Sequence, residues 1–254
     1  MRLSAVVITC NESAKLQACL DSVRFADEIV ILDSGSTDNT VEIATQAGAK
    51  VTQVTDWPGF GPQKNRALAL ARGEWILSID ADERVSETLR DEIQSAVARS
   101  QDATTAYSMN RCSSYCGQFM AHSGWYPDRL VRLFRKGTAR FSDDLVHERL
   151  MADGPIGHLK GDLIHLSFDN FEAVLAKVDR YSTAGALALH RRGVRGSLFK
   201  AVTHALAAFV RTYVVRRGFL DGQLGFALAV SNAEGTYYRY LKLWLLQRPG
   251  ASSQ

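Results

Sequence analysis

The sequence predicts an α/β fold, a mainly parallel sheet flanked by helices, with a helical extension at the C-terminal end. Three observations predict it. Short β-rich apolar runs alternate with segments of helical spacing over residues 1–80. Each run ends in a cluster of polar side chains. Beyond residue 170 the pattern changes to long apolar helices interspersed with arginine and lysine. At 254 residues, 46% hydrophobic and 22% charged, the chain has ordinary globular composition and enough length for a large core without disulfides.

Taken in order, residues 3–9 form a first strand, ended by Cys10-Asn11-Glu12, and 13–23 carry Leu16, Leu20 and Val23 at helical spacing. A second strand over 29–32 is closed by Asp33-Ser34-Gly35-Ser36-Thr37-Asp38. A helix over 41–47 follows, capped by Thr37 or Asp38 and stopped by Gly48, then a third strand over 51–54. The prolines and glycines of 56–62 read as a loop. A helix over 63–71 and Gly73 lead to a strand over 75–79, which runs straight into Asp80-Ala81-Asp82-Glu83. A polar helix is expected over 84–100, with Leu89, Ile93 and Val97 on one face. Strands are expected over 107–111 and 130–134, separated by a Gly-, Ser- and aromatic-rich loop at 112–127. Helices over 171–189, 198–215 and 224–246 complete the chain. The organisation expected is 1–110 for the first half of the catalytic domain, 111–170 for the second, and 171–254 for the helical extension.

Ligands of open α/β sheets bind beyond the carboxyl ends of the strands. That rule sets Thr9, Asn11, Glu12, Asp33, Asp80 and Asp82 along one edge. Carboxylates where a buried strand leaves the core suit a hard divalent cation that takes its other ligands from phosphate oxygens; taken alone, D-x-D reads equally well as an acidic turn. A nicotinamide-dependent dehydrogenase is excluded, because Thr9-Cys10-Asn11-Glu12 has no glycine where G-x-G-x-x-G would stand. A non-catalytic scaffold predicts lost carboxylates, whereas Asp33, Asp80, Asp82 and Glu148 are all present.

V-V-I-T-C-N-E at 6–12, I-V-I-L-D-S-G-S-T-D-N-T at 29–40 and Q-K-N-R-A-L-A-L-A-R-G-E-W-I-L-S-I-D-A-D-E at 63–83 resemble, in that order, the family 2 inverting glycosyltransferases of the GT-A fold. The resemblance implies transfer of a sugar from a nucleotide-sugar donor with Mg²⁺ or Mn²⁺. Thr9, Asn11, Glu12 and Asp33 would surround the base and ribose, and Lys64, Asn65 and Arg66 would lie near the donor. Asp82 would hold the metal, with Asp80 at the ribose or in the outer shell. The family often has Asp-Asp-Gly-Ser where this chain has Asp33-Ser34-Gly35-Ser36, so only Asp33 inherits the nucleotide role. Val146-His147-Glu148 resembles the segment that carries the family's base, which points to Glu148, with Asp144 as runner-up. His165 stands where some relatives supply a further metal ligand; a packed core histidine is the alternative. Trp125 and Tyr126 would stack on an acceptor sugar or fill a small core. The whole pattern resembles most closely the bacterial lipopolysaccharide core β-glucosyltransferases acting on heptose, which implies UDP-glucose and a lipid-linked acceptor. A polyprenyl-phosphate or other cell-envelope glycosyltransferase is the alternative.

The charge is uneven. Residues 171–254 carry 12 Lys/Arg against 4 Asp/Glu, residues 1–170 carry 18 against 23, and no acid lies between Asp179 and Asp221. Basic helices with a wide apolar face suit an anionic membrane surface; packing on the catalytic domain or on another subunit is the alternative. Within the 198–215 helix the longest uncharged stretch, 201–210, is short of the roughly 20 residues that span a bilayer. No nucleic-acid module accompanies the charge. Four cysteines without paired zinc spacing, and no secretory signal, lead to the expectation of reduced thiols in a cytoplasmic protein, peripheral on the inner face of the bacterial inner membrane.

Overall fold

The computed structural model describes residues 1–99, 103–142 and 149–248. Its first part alternates as the sequence predicts: β1 (Leu3–Thr9), α1 (Ser13–Ser22), β2 (Glu28–Asp33), α2 (Thr40–Gln46), β3 (Lys50–Gln53), α3 (Phe60–Leu70) and β4 (Trp75–Ser78). β1 lies between β2 and β4, β3 lies outside β2, and all three pairings are parallel. Strands β1, β2 and β4 are buried on both faces, so their alternate side chains fill two cores, while β3 at the edge is mostly exposed. Ala5, Val7, Ile31 and Leu77 pack with Leu16, Leu20, Leu89 and Ile93 on one face. Val6, Val30, Leu32 and Ile76 pack with Ala67, Leu68 and Phe134 on the other.

Further along come β5 (Glu83–Val85), α4 (Glu87–Ala98), β6 (Ala106–Tyr115), β7 (Gln118–Phe119), β8 (Asp128–Arg135), β9 (Ala139–Phe141), β10 (Leu150–Ala152) and β11 (Ile156–Phe168). The main sheet has the order β3-β2-β1-β4-β8-β6-β11-β5, with β7 on β6, while β9 and β10 form a separate antiparallel pair. Two expectations need correction. Helix α3 starts at Phe60, inside the expected loop, because Pro62 falls in the first turn, where a helix has no use for its missing N–H. The polar helix expected over 84–100 gives up its start to β5. It begins at Glu87, after Ser86 accepts a bond from Leu89 N as N-cap.

The chain divides into two compact units, Met1–Arg111 with Asp128–His165, and Cys112–Pro127 with Leu166–Gln254. The second unit holds α5 (Phe171–Arg191), α6 (Leu198–Val210), a π-helical turn (Arg211–Val215), a 3-10 turn (Gly218–Asp221) and α7 (Gly222–Leu246). Its core gathers Tyr115, Met120, Phe168, Val174 and Leu228. The buried Asp221 carboxylate accepts bonds from Ala121 N, His122 N and Ser123 Oγ, which fixes the 121–123 turn to the start of α7. Leu198–Val215 is long and apolar enough, by length and composition alone, to cross a membrane, and only 17% of it is buried. These are the residues, 198–215, over which the second helix of the extension is expected.

At the opposite end of β2 from the strand-end acids, the buried Glu28 carboxylate receives Ser4 Oγ at 2.7 Å, Lys50 Nζ at 2.6 Å and Arg72 N at 2.9 Å. Ser4 Oγ in turn accepts Gly73 N, and a Cβ on Gly73 would meet Ser4 N at 2.7 Å, so only glycine fits there. Burial pushes the Glu28 carboxyl up, but the bonds from Lys50, Arg72 and Ser4 outweigh it and bring it down to about 2. A depressed carboxylate contributes stability that is full above its unfolded pKa and is lost as the pH falls toward the folded one. Glu28→Gln is therefore expected to destabilise the protein by about 2–3 kcal/mol at pH 7. Urea unfolding should show this gap closing as the pH falls from about 4.5 toward 2.

Candidate active site at the strand ends

The first two strand ends are tied together through Asp33. Its fully buried carboxylate accepts Thr9 Oγ1 at 2.9 Å, Gly35 N at 3.1 Å, Ser36 N at 2.9 Å and Ser36 Oγ at 2.5 Å. These four donors fill the roughly four acceptor directions a carboxylate offers. Asp33 therefore pins the loop, and a ligand contact there requires one of the bonds to be exchanged. The turn demands the left-handed backbone at Gly35, φ 82°. Asn11, also left-handed at φ 57°, donates its N–H to Ser36 Oγ and accepts Thr37 N on Oδ1. Glu12 N donates to Thr40 Oγ1. The Glu12 side chain is left toward the other acids. Its carboxyl is raised, first by burial and then by repulsion from Asp82, with Asp38 and Asp80 adding to it.

Helix α3 connects this group to the third strand end. Gln63 Nε2 donates to Ser34 Oγ at 2.9 Å, and the next residue, Lys64, sets its buried ammonium 2.9 Å from Asp80 Oδ1 and 5.1 Å from the Phe141 ring centre. Asn65 spends its amide on the backbone of Phe141, donating to O at 2.9 Å and accepting N at 2.8 Å. Arg66 is exposed and pairs with Asp56 at 2.7 Å. Of the three consecutive residues that the resemblance sets near the donor, Lys64 alone is in contact with the strand-end acids among the bonds described.

Asp80 is held from both sides. Arg132 Nη2 lies 2.7 Å from Asp80 Oδ2 and 2.8 Å from Glu83 Oε1, while Glu83 Oε2 accepts Asp80 N. Arg111 approaches Glu83 at 3.8 Å and is anchored on Asp128. Burial pushes the Asp80 carboxyl up, but Arg132 and Lys64 outweigh it and hold it far below the usual carboxylate range. Burial dominates at Glu83, which is raised despite Arg132. Arg132 itself is raised, its two carboxylates overcoming the cost of its burial. Sequence reasoning missed Arg132. The signal was there in Leu130-Val131-Arg132-Leu133-Phe134: a charge inside a strand that is otherwise apolar must be paired.

Strand β5 brings in the last group. It pairs antiparallel with β11 so that His165 faces Glu83 across the ladder. His165 Nε2 then lies 3.3 Å from Asp82 Oδ2. Among the described residues no cluster of three or more His, Cys, Asp or Glu side chains is arranged to hold a metal by itself. Neighbouring ligands about 2.1 Å from an octahedral cation lie about 3 Å apart, so the Asp82–His165 pair fits as two ligands of a shell completed by phosphate oxygens. Asp80, with each oxygen on a cation, fits an outer position.

Trp125 belongs to the core of the second unit, edge-on to Tyr115 at 5.8 Å and tilted over Phe168 at 6.2 Å. Tyr126, partly buried, precedes the cis-bonded Pro127. Glu148 and Asp144 lie outside the described residues. Removing the central cation while keeping its carboxylates should be costly: Arg132→Met is expected to lose about 3–5 kcal/mol of stability. Arg132→Lys should recover part of that loss in urea unfolding at pH 7.

The family model described as "Glycosyl transferase family 2" matches residues 4–149. An uncharacterised glycosyltransferase of Rickettsia typhi is 32% identical over 95% of this chain and 86% of its own length. A lipopolysaccharide core biosynthesis glycosyltransferase of Rhizobium meliloti, LpsC, is 30% identical over 94% of this chain and 93% of its own. Among solved structures, S. aureus TarS in complex with UDP superposes with a TM-score of 0.52 at 17% identity, covering 97% of this chain and 91% of that one. The match over more than half of the chain and the full-length relatives agree with the architecture: the chain belongs to glycosyltransferase family 2 and has the GT-A fold.

Proposed function

We propose that this protein is an inverting, metal-dependent glucosyltransferase that moves glucose from UDP-glucose onto a lipid-linked saccharide of the lipopolysaccharide inner core. The observation that carries the acceptor is the 30% identity, along nearly the whole of both chains, to a lipopolysaccharide core biosynthesis glycosyltransferase. The uridine donor is supported by TarS, which is described in complex with UDP and shares the fold. Because a nucleotide sugar is a cytoplasmic metabolite and the acceptor is a lipid, the reaction is assigned to the inner face of the bacterial inner membrane.

In this reading Glu148, or Asp144 in its stead, takes the proton from the acceptor hydroxyl as that oxygen attacks the anomeric carbon. The new glycosidic bond forms on the face opposite the breaking bond to the diphosphate, and UDP leaves with the bonding electrons. Asp82 and His165 would hold Mg²⁺ or Mn²⁺, supplying positive charge against the leaving diphosphate. Lys64 and Arg132 keep Asp80 ionised and fixed, so the strand end is organised before the donor arrives. The 9–12 and 33–36 loops, bonded to each other, form the side that faces base and ribose.

Turnover is measured as UDP release, with UDP-glucose, UDP-galactose, UDP-GlcNAc or a GDP-sugar as donor and a lipopolysaccharide extract as acceptor. UDP-glucose should be the preferred donor. Asp82→Ala should lower turnover at least about a hundredfold; near-normal release by this variant would remove Asp82 from the site. Glu148→Gln should retain UDP binding while losing about 10²- to 10⁴-fold in turnover. Unchanged turnover would move the base to Asp144.

A further inference from the structure

Helix α6 is packed the opposite way from a helix of a water-soluble core. Its small residues, Ala201 and Ala208, are buried together with Thr212 of the following π-turn. Thr212 Oγ1 accepts Asn232 Nδ2 of α7, and His204 stacks on Tyr240 of α7 at 4.4 Å, so the small-residue side is the one that meets its partner helix. The bulky apolar residues look outward: Phe199 is 77% exposed and Leu206 61%, with Val202, Val210 and Val214 exposed beside them. Positions 202, 206, 210 and 214 recur at i, i+4 and make one stripe along the helix. A stripe of this kind is stable only against an apolar medium, since roughly 1.5–3 kcal/mol is gained per large apolar side chain removed from water.

Charge says which medium. Arg191, Arg192 and Arg195 stand exposed before the helix and Arg211, Arg216 and Arg217 at its end, and no acid interrupts the span between Asp179 and Asp221. A second copy laid against the same face would bring two such cationic sets together; an anionic lipid surface would neutralise them. A spanning helix fits less well. Eighteen residues reach only about 27 Å against about 30 Å of hydrocarbon, and the partner α7 carries Glu234, Arg239 and Lys242 along its length.

We propose that the Phe199–Val202–Leu206–Val210–Val214 face of α6 and its π-helical turn is a membrane-docking surface that lies in the interface of an anionic bilayer, with the flanking arginines on the lipid headgroups. The proposal is independent of the identity of donor and acceptor. Its test is sedimentation of the full chain with vesicles of phosphatidylcholine containing phosphatidylglycerol, and with vesicles of phosphatidylcholine alone. Binding is expected to the anionic vesicles and to weaken as salt is raised. The double variant Phe199→Gln, Leu206→Gln, altered only at exposed positions, should bind about tenfold or more weakly, with an unchanged thermal unfolding midpoint by circular dichroism. Replacing Arg191, Arg192 and Arg195 by glutamine should weaken binding to the anionic vesicles alone. No vesicle binding at low salt, or undiminished binding by the double variant, would overturn the proposal. So would a dimer in light scattering that the double variant converts to monomer, since a second copy would then cover the face.

Discussion

A guanidinium buried between two carboxylates sets the geometry of the acidic strand end. Arg132 reaches both Asp80 and Glu83 at bonding distance, and Lys64 closes on Asp80 from the other side. Each of these charges would be expensive to bury alone, and each is tolerated only because the others are there. The group comes from four elements, β8, α3, the loop after β4 and the start of β5, so the mutual attraction of its members also ties those elements together. Asp80 is kept ionised by this arrangement, and Glu83, deeper and dominated by burial, serves to tie the loop through its bond from Asp80 N.

What the arrangement leaves over is chemically distinct from what it uses. Asp82 is the acid of the Asp80-Ala81-Asp82-Glu83 run that meets a histidine rather than a cationic side chain in the contacts described. The Glu12 carboxyl, raised first by burial, is raised further by Asp82, Asp38 and Asp80 at the same edge. A site of this sign attracts a divalent cation and, through it, a diphosphate. The side proposed to face the nucleotide is built differently, from loops bonded to one another through Asp33, Ser36, Asn11 and Thr37. One edge of the sheet thus carries an electrostatic half and a rigid, hydrogen-bonded half.

Much of this was legible in the sequence, for physical reasons. Alternating apolar runs and helical spacing reveal β1 to β4 in order, and most strongly β1, β2 and β4, because strands buried on both faces leave a strong signal. The rule that ligands gather at strand ends then singled out Thr9, Asp33, Asp80 and Asp82, and these converge in the fold. Pairing was harder to read. Strand β5 is three residues long and merges into a helix with a good N-cap, so local propensity concealed the strand that brings His165 to Asp82. Asn65 sits between two cations in the sequence, yet its amide closes on the backbone of Phe141, 76 residues away, a contact no local pattern encodes. The outward face of α6 was visible as apolar spacing, but which side met its partner helix could be learned only from the packing.

The strand-end acids are proposed to form a cation-assisted diphosphate site. Calorimetric titration of the intact chain with UDP, with Mn²⁺ or Mg²⁺ present and then with chelator, tests it most directly. UDP is expected to bind with the cation, to bind at least about tenfold more weakly without it, and to lose this difference in Asp82→Ala. UDP affinity that is the same with and without cation, and unaltered in Asp82→Ala, would contradict it.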